Sequence, residues 1–121
     1  MAFSEVQDDD ARSYAAAAAH LARRPDISAI YNIGGGNPGI VRALEESGRA
    51  GKVVFIGHDL TDDTRRYLLS GTMDAVIDQY PRVEAREALE QLARAVRGLP
   101  WTSHPLRTQI IVREYLPEEV I

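Results

Sequence analysis

Apolar residues along this chain recur first at helical spacing, then in short unbroken runs, and the two patterns alternate to the end. ARSYAAAAAHLARR, built of strong helix formers behind three aspartates able to cap it, predicts a helix halted by Pro25. ISAIYNI predicts a strand that runs into a glycine cluster. Asn37 and Pro38 suit the N-cap and first turn of a second helix, PGIVRALEESG, closed by Gly48. KVVFIG is apolar throughout, as expected of a strand covered on both faces. Thr61 with Thr64, and Asp62 and Asp63 in the first turn, start a third helix, DDTRRYLLSG. MDAVIDQ predicts a strand, PRVEAREALEQLARAVRG a long amphipathic helix behind Pro81, and RTQIIVREYL a last strand. The linker LPWTSHPL before that strand is expected to let the chain cross between sheet positions.

Alternation of helix and strand implies an α/β fold: a three-layer, Rossmann-like parallel sheet with helices on both faces. Parallel strands need crossover connections, and those connections are right-handed. The first three strands are expected to be mutually parallel. In open sheets of this class ligands bind beyond the carboxyl ends of the strands. Residues 34–37, Asp59 and Gln79 all fall at such ends, so three successive strands deliver small, polar or charged groups to one rim. A lone Asp59 would read equally well as a carboxylate satisfying helix amides; its coincidence with Gln79 and the glycine loop favours binding.

Composition narrows the function classes. With 121 residues, 45% of them hydrophobic, the chain is one domain at most. The net charge is −4 and the 14 Lys and Arg are spread along the chain, which argues against a nucleic-acid surface within it. The absence of cysteine excludes disulfides and thiolate metal sites. No apolar stretch reaches the ~20 residues of a membrane span, and MAFSEVQDDD is acidic where a signal peptide is basic and then apolar, so a soluble chain is expected. His20, His58 and His104 lack metal-ligand spacing, and a structural role is the default for each. Residues 8–10 read as a helix cap in preference to a metal site. With no nucleophile elbow and no G-x-x-x-x-G-K loop, neither catalytic activity nor a cofactor is expected.

One rival comes from GGGNPG, a literal G-x-G-x-x-G through Gly34, Gly36 and Gly39, after a strand and opening a helix. Asp59 closes the next strand about 20 residues further on, which completes the outline of a dinucleotide-binding fingerprint. Against it, the fingerprint falls after an initial helix, too little chain follows for a catalytic domain, and glycines serve any tight strand-to-helix turn.

AIYNIGGGNPGIVRALEESG, then VVFIGHDLTDDTRRYL, GTMDAVIDQYP and the ending REYLP resemble the C-terminal lobe of type I periplasmic sugar-binding proteins and of lactose-repressor-type transcription regulators. The resemblance implies that Asp59, the acid of the Gly-x-Asp strand end, accepts hydrogen bonds from sugar hydroxyls, and that Gln79 acts alike. Where the family often carries an Asn-Asp pair this chain has Gly34, Gly35, Gly36 and Asn37, which makes Asn37, with Gly35 beside it, the contact there. A carboxylate and a carboxamide suit a polyol because each can bridge adjacent hydroxyls. REYLP resembles the regulator branch more than the transport branch. The expectation is therefore a partial C-terminal lobe, residues 1–121, of a cytoplasmic, homodimeric, sugar-responsive regulator whose DNA-binding helix-turn-helix lies outside this stretch. A sugar-binding protein of a transport system is the first alternative and a dinucleotide-dependent enzyme fragment the second.

Overall fold

The structure, a computed structural model, describes residues 1–103, 105 and 107–118. Its elements run α1 (Asp10–Arg23), β1 (Ala29–Tyr31), α2 (Asn37–Glu46), β2 (Val54–His58), α3 (Asp62–Ser70), β3 (Ala75–Asp78), α4 (Pro81–Val96) and β4 (Gln109–Ile111), followed by a single 3-10 turn at Arg113–Tyr115. The helix ends follow local chemistry. Asp9 caps α1 by accepting the Arg12 amide at 2.7 Å. Gly36, one residue before the expected Asn37, caps α2 with Pro38 in the first turn. Thr61 and Thr64 form a reciprocal capping box at α3.

The four strands form one sheet in the order β1-β2-β3-β4. The first three are parallel, as expected, and β4 runs antiparallel to β3, with Val76 opposite Ile111. The reversal has a simple cause. After α4 the chain comes back beside that helix, where the Thr102 amide meets the Gln91 side chain, and enters the sheet next to β3 from the opposite end. The linker thus adds a neighbouring edge strand and does not cross the sheet; its His104 and Leu106 lie outside the described residues.

Because β1, β2 and β3 follow one another across the sheet, right-handed crossovers place α2 and α3 on the same face. That face holds the core: Phe55, Val76 and Ile111 from the strands meet Ile40, Leu44 and Leu68 from the helices, with Tyr14, Ala17 and Ala18 of α1 against them. The opposite face is thinly covered. Val54, expected to be buried, is 46% exposed, and Ile110, on the same face through Ile77, is 70% exposed. Helix α4 buries none of its residues. KVVFIG is apolar on both sides, yet only the Phe55 side is closed by packed helices.

Candidate functional site at the carboxyl rim

The glycine loop between β1 and α2 is organised by a residue the sequence reading passed over. The Asn32 amide continues the sheet by donating to the Ile56 carbonyl at 2.9 Å. Its side-chain Nδ2 lies 3.2 Å from the Gly34 carbonyl, 2.8 Å from the Gly35 carbonyl and 2.8 Å from Asn37 Oδ1. Asn37 is 6% exposed and its oxygen is already engaged. The Gly35 amide donates to Asp8 Oδ1 at 2.8 Å. Both residues expected to meet a ligand here have polar groups committed inside the protein.

The same contacts explain the glycines. A Cβ at Gly36 would stand 2.1 Å from Ser13 Oγ, and one at Gly39 would stand 2.1 Å from the Asp10 carbonyl oxygen and 2.8 Å from the Tyr14 nitrogen. The fingerprint glycines let the start of α1 lie against the loop. The Asp8 carboxylate on the Gly35 amide also puts a negative charge where a dinucleotide pyrophosphate would need to approach. Residues 8–10 therefore serve as cap and loop anchor, and no group of three or more His, Asp or Glu among the described residues could hold a metal.

At the end of β2 the arrangement differs. Asp59 donates its amide to the Ile77 carbonyl at 2.9 Å, and its own carbonyl accepts the Thr64 hydroxyl at 2.7 Å. The next amide, Leu60, donates to Asp78 Oδ1 at 3.2 Å. These bonds hold Asp59 at φ 66°, a left-handed conformation uncommon for a residue with a side chain. Asp59 Oδ1 is buried and has no hydrogen-bond partner among the described residues. Such an acceptor costs about 1–3 kcal/mol until a donor reaches it.

Gln79, at the end of β3, is exposed, and its Nε2 stands 3.4 Å from His58 Nδ1. His58 Nε2 is 2.7 Å from the Tyr31 hydroxyl. Tyr31, His58 and Gln79 thus link the carboxyl ends of β1, β2 and β3. Asp59 and Gln79 lie on adjacent strand ends of that rim, while Asn37 and Gly35 belong to the closed loop beside it. His58, taken as structural from sequence, is the bridge; period-two alternation along β2 puts it on the thinly covered face with Val54.

Cavities open on the described surface at two places away from the glycine loop. One, of about 460 Å³, lies between α1 and α2 beside Leu21 and Ala43, far from the rim; its Arg49 is engaged with the carbonyls of Leu21, Arg24, Pro25 and Ile27. The other, about 510 Å³, runs between α4 and the returning chain and begins at Gln79 and Tyr80.

The carboxyl ends of the parallel strands in an open α/β sheet are where such folds commonly bind small molecules, and here that rim carries an acceptor without a partner among the described residues. The chain belongs to the periplasmic binding protein domain family, whose members it matches over residues 2–100. No curated protein matches it in sequence. Among solved structures it resembles a glucose-galactose binding protein from Geobacillus stearothermophilus, with 27% identity, a TM-score of 0.86, and 93% of this chain against 41% of that one. It also shares the fold of an ABC transporter solute binding protein from Agrobacterium vitis with bound D-fucose, at 19% identity and TM-score 0.91, covering 98% and 41%. A periplasmic solute binding protein from Actinobacillus succinogenes with bound D-allose superposes with TM-score 0.82 at 23% identity, covering 90% and 39%. The chain spans about two fifths of the length of these structures.

Proposed function

We propose that this chain is the ligand-contacting lobe of a sugar-binding protein of the transport type, with Asp59 and Gln79 meeting sugar hydroxyls. The observation that carries it is Asp59 Oδ1, a buried acceptor at the carboxyl rim without a donor among the described residues. A sugar hydroxyl is such a donor, and the Gln79 carboxamide at the adjacent strand end can both donate and accept. Family membership and the 27%-identical glucose-galactose binding protein support the sugar class. The transport setting draws on the fold neighbours, which are solute binding proteins of ABC transporters. Ligand held between this lobe and a second one would favour the closed state of the pair.

The regulator reading keeps one specific support, the REYLP ending. Leu116 packs against the core and the Arg65 guanidinium holds the Pro117 carbonyl, so this ending is built into the lobe. On that reading the protein is cytoplasmic and dimeric, self-associating through the face that exposes Val54 and Ile110. On the transport reading it works outside the cytoplasmic membrane. Fractionation of the host cell separates the two, and sedimentation tests the dimer.

The sugar reading is tested by calorimetric titration with D-glucose, D-galactose, D-fucose, D-allose and NAD. Asp59→Asn is expected to cost about 1.5–3 kcal/mol of sugar binding, the range for a hydrogen bond to a charged group. Sugar affinity unchanged by Asp59→Asn, or binding of NAD in place of any sugar, would overturn it. Affinities for this lobe alone will be low, since half of a cleft supplies only part of the contacts that offset the cost of association.

A further inference from the structure

We infer that Asp78 is a positioning residue of the rim: its buried carboxylate holds the Leu60 amide and thereby fixes the left-handed turn that presents Asp59. This rests on the reading of Asp59 as the sugar-binding acid.

Asp78 closes β3 on the core face, two residues beyond Val76, and is 1% exposed. A carboxylate is an unusual occupant of that place. Among the described residues its Oδ1 has the Leu60 amide at 3.2 Å as partner, while Oδ2 is buried without one. Burying a charged group so incompletely paired is costly, and an apolar side chain would suit both the strand and the core better. What offsets the cost is the Leu60 contact. Leu60 is itself buried, so its amide has no water to turn to, and it is the residue directly after Asp59.

Three hydrogen bonds define the turn, two from the end of β3 and one from α3. The Ile77 carbonyl takes the Asp59 amide, and the Thr64 hydroxyl, shared with the capping box of α3, reaches the Asp59 carbonyl. Asp78, the residue after Ile77 in β3, supplies the third by accepting the amide on the other side of the Asp59 α-carbon. Without it that peptide is held by the Thr64 hydroxyl alone and can rotate, letting Asp59 relax toward the ordinary φ of a non-glycine residue. That rotation swings Asp59 Oδ1 off the rim. Asp78 therefore acts on the ligand through Asp59 and touches nothing that binds.

A double-mutant cycle in the full chain tests this, with affinity measured for D-glucose, D-galactose, D-fucose and D-allose and amide hydrogen exchange followed alongside. Asp78→Ala is expected to speed exchange at Leu60 at least tenfold while Phe55, whose amide is held by Asp74 at 2.9 Å, keeps its rate. The same variant should weaken binding of the tightest of these sugars about tenfold, and Asp78→Asn, which keeps the acceptor, should restore most of it. Adding Asp78→Ala to Asp59→Ala should cost no further affinity, although the losses in stability add. If Asp78→Ala does not fold, Asp78→Leu fills the same space without the acceptor and takes its place in the cycle. Full protection of Leu60 without the carboxylate, or additive losses of affinity, would overturn the inference. An Asp59→Ala protein that binds every sugar as the wild type does would instead overturn the sugar reading, and this inference with it.

Discussion

Two strand ends of this protein look alike in sequence and behave oppositely in the fold. The loop after β1 offers Asn32, three glycines and Asn37, and its contacts turn inward: the Asn32 amide group to the loop carbonyls and the Asn37 oxygen, the Gly35 amide to Asp8, the close approach at Gly39 to α1. The turn after β2 offers a single aspartate, and that residue keeps a buried oxygen unspent. A polar residue at a carboxyl rim becomes a candidate for binding only once its partners inside the protein have been counted. By that count the glycine fingerprint is a packing device, and Asp59 is the residue we propose for the site.

The contrast breaks first at Gly39. If the glycine loop is packing, Gly39→Ala drives a methyl group into the backbone of α1 and should lower stability by about 3 kcal/mol, the upper end of the usual cost of overpacking. Chemical denaturation measures it, and a near-neutral result would return the glycines to a ligand. Asn32→Ala should cost about 2 kcal/mol by the same measurement, because it leaves loop carbonyls and the buried Asn37 oxygen without their donor. At the other strand end the sign reverses. Asp59→Gly relieves a left-handed side-chain residue and removes an unpartnered buried oxygen, so stability should rise by about 1 kcal/mol while sugar binding is lost.

The smallest effect is electrostatic and lies on the packing side. The Tyr14 hydroxyl, and after it Arg42, hold the Glu46 carboxyl below its ordinary range, and the Arg42 guanidinium sits 4.2 Å over the Tyr14 ring. A carboxyl lowered in the folded state contributes stability above its unfolded pKa and loses it as pH falls through the folded one. Glu46→Gln should therefore flatten the decline of stability on the acid side of pH 4.5, a slight change because the group is exposed to solvent. Thermal melts across that window read it.

The fold was legible wherever the cause is local. Asp9 before α1, the Thr61–Thr64 box, Pro38 and Pro81 in first turns and the three parallel strands all follow from neighbours in the chain. What local pattern could not carry was partnership at a distance. RTQIIVREYL reads as one strand, but only Gln109–Ile111 finds an edge to pair with before the chain turns at Arg113. KVVFIG shows two apolar sides without revealing that one stays thinly covered. The positions of Asp59 and Gln79, each directly after its strand, were legible. Asn32 and Asp78 were not, because their importance lies in bonds to Gly35 and Leu60; a charged residue closing the run AVID was the signal available for Asp78. Asn37 and Gly35 drew notice for being polar or small at a strand end, and the bonds that engage them reach Asn32 and Asp8.

The most direct measurement is an amide chemical-shift map of the chain titrated with D-glucose, D-galactose, D-fucose and D-allose, and separately with NAD, since it detects the weak binding expected of one lobe. At least one sugar is expected to shift the amides of His58, Asp59, Leu60 and Gln79 in a saturable way and to leave Gly34, Gly35 and Gly36 nearly still, and NAD to shift none of them. Shifts centred on the glycine loop, or a rim that no sugar perturbs, would contradict this expectation.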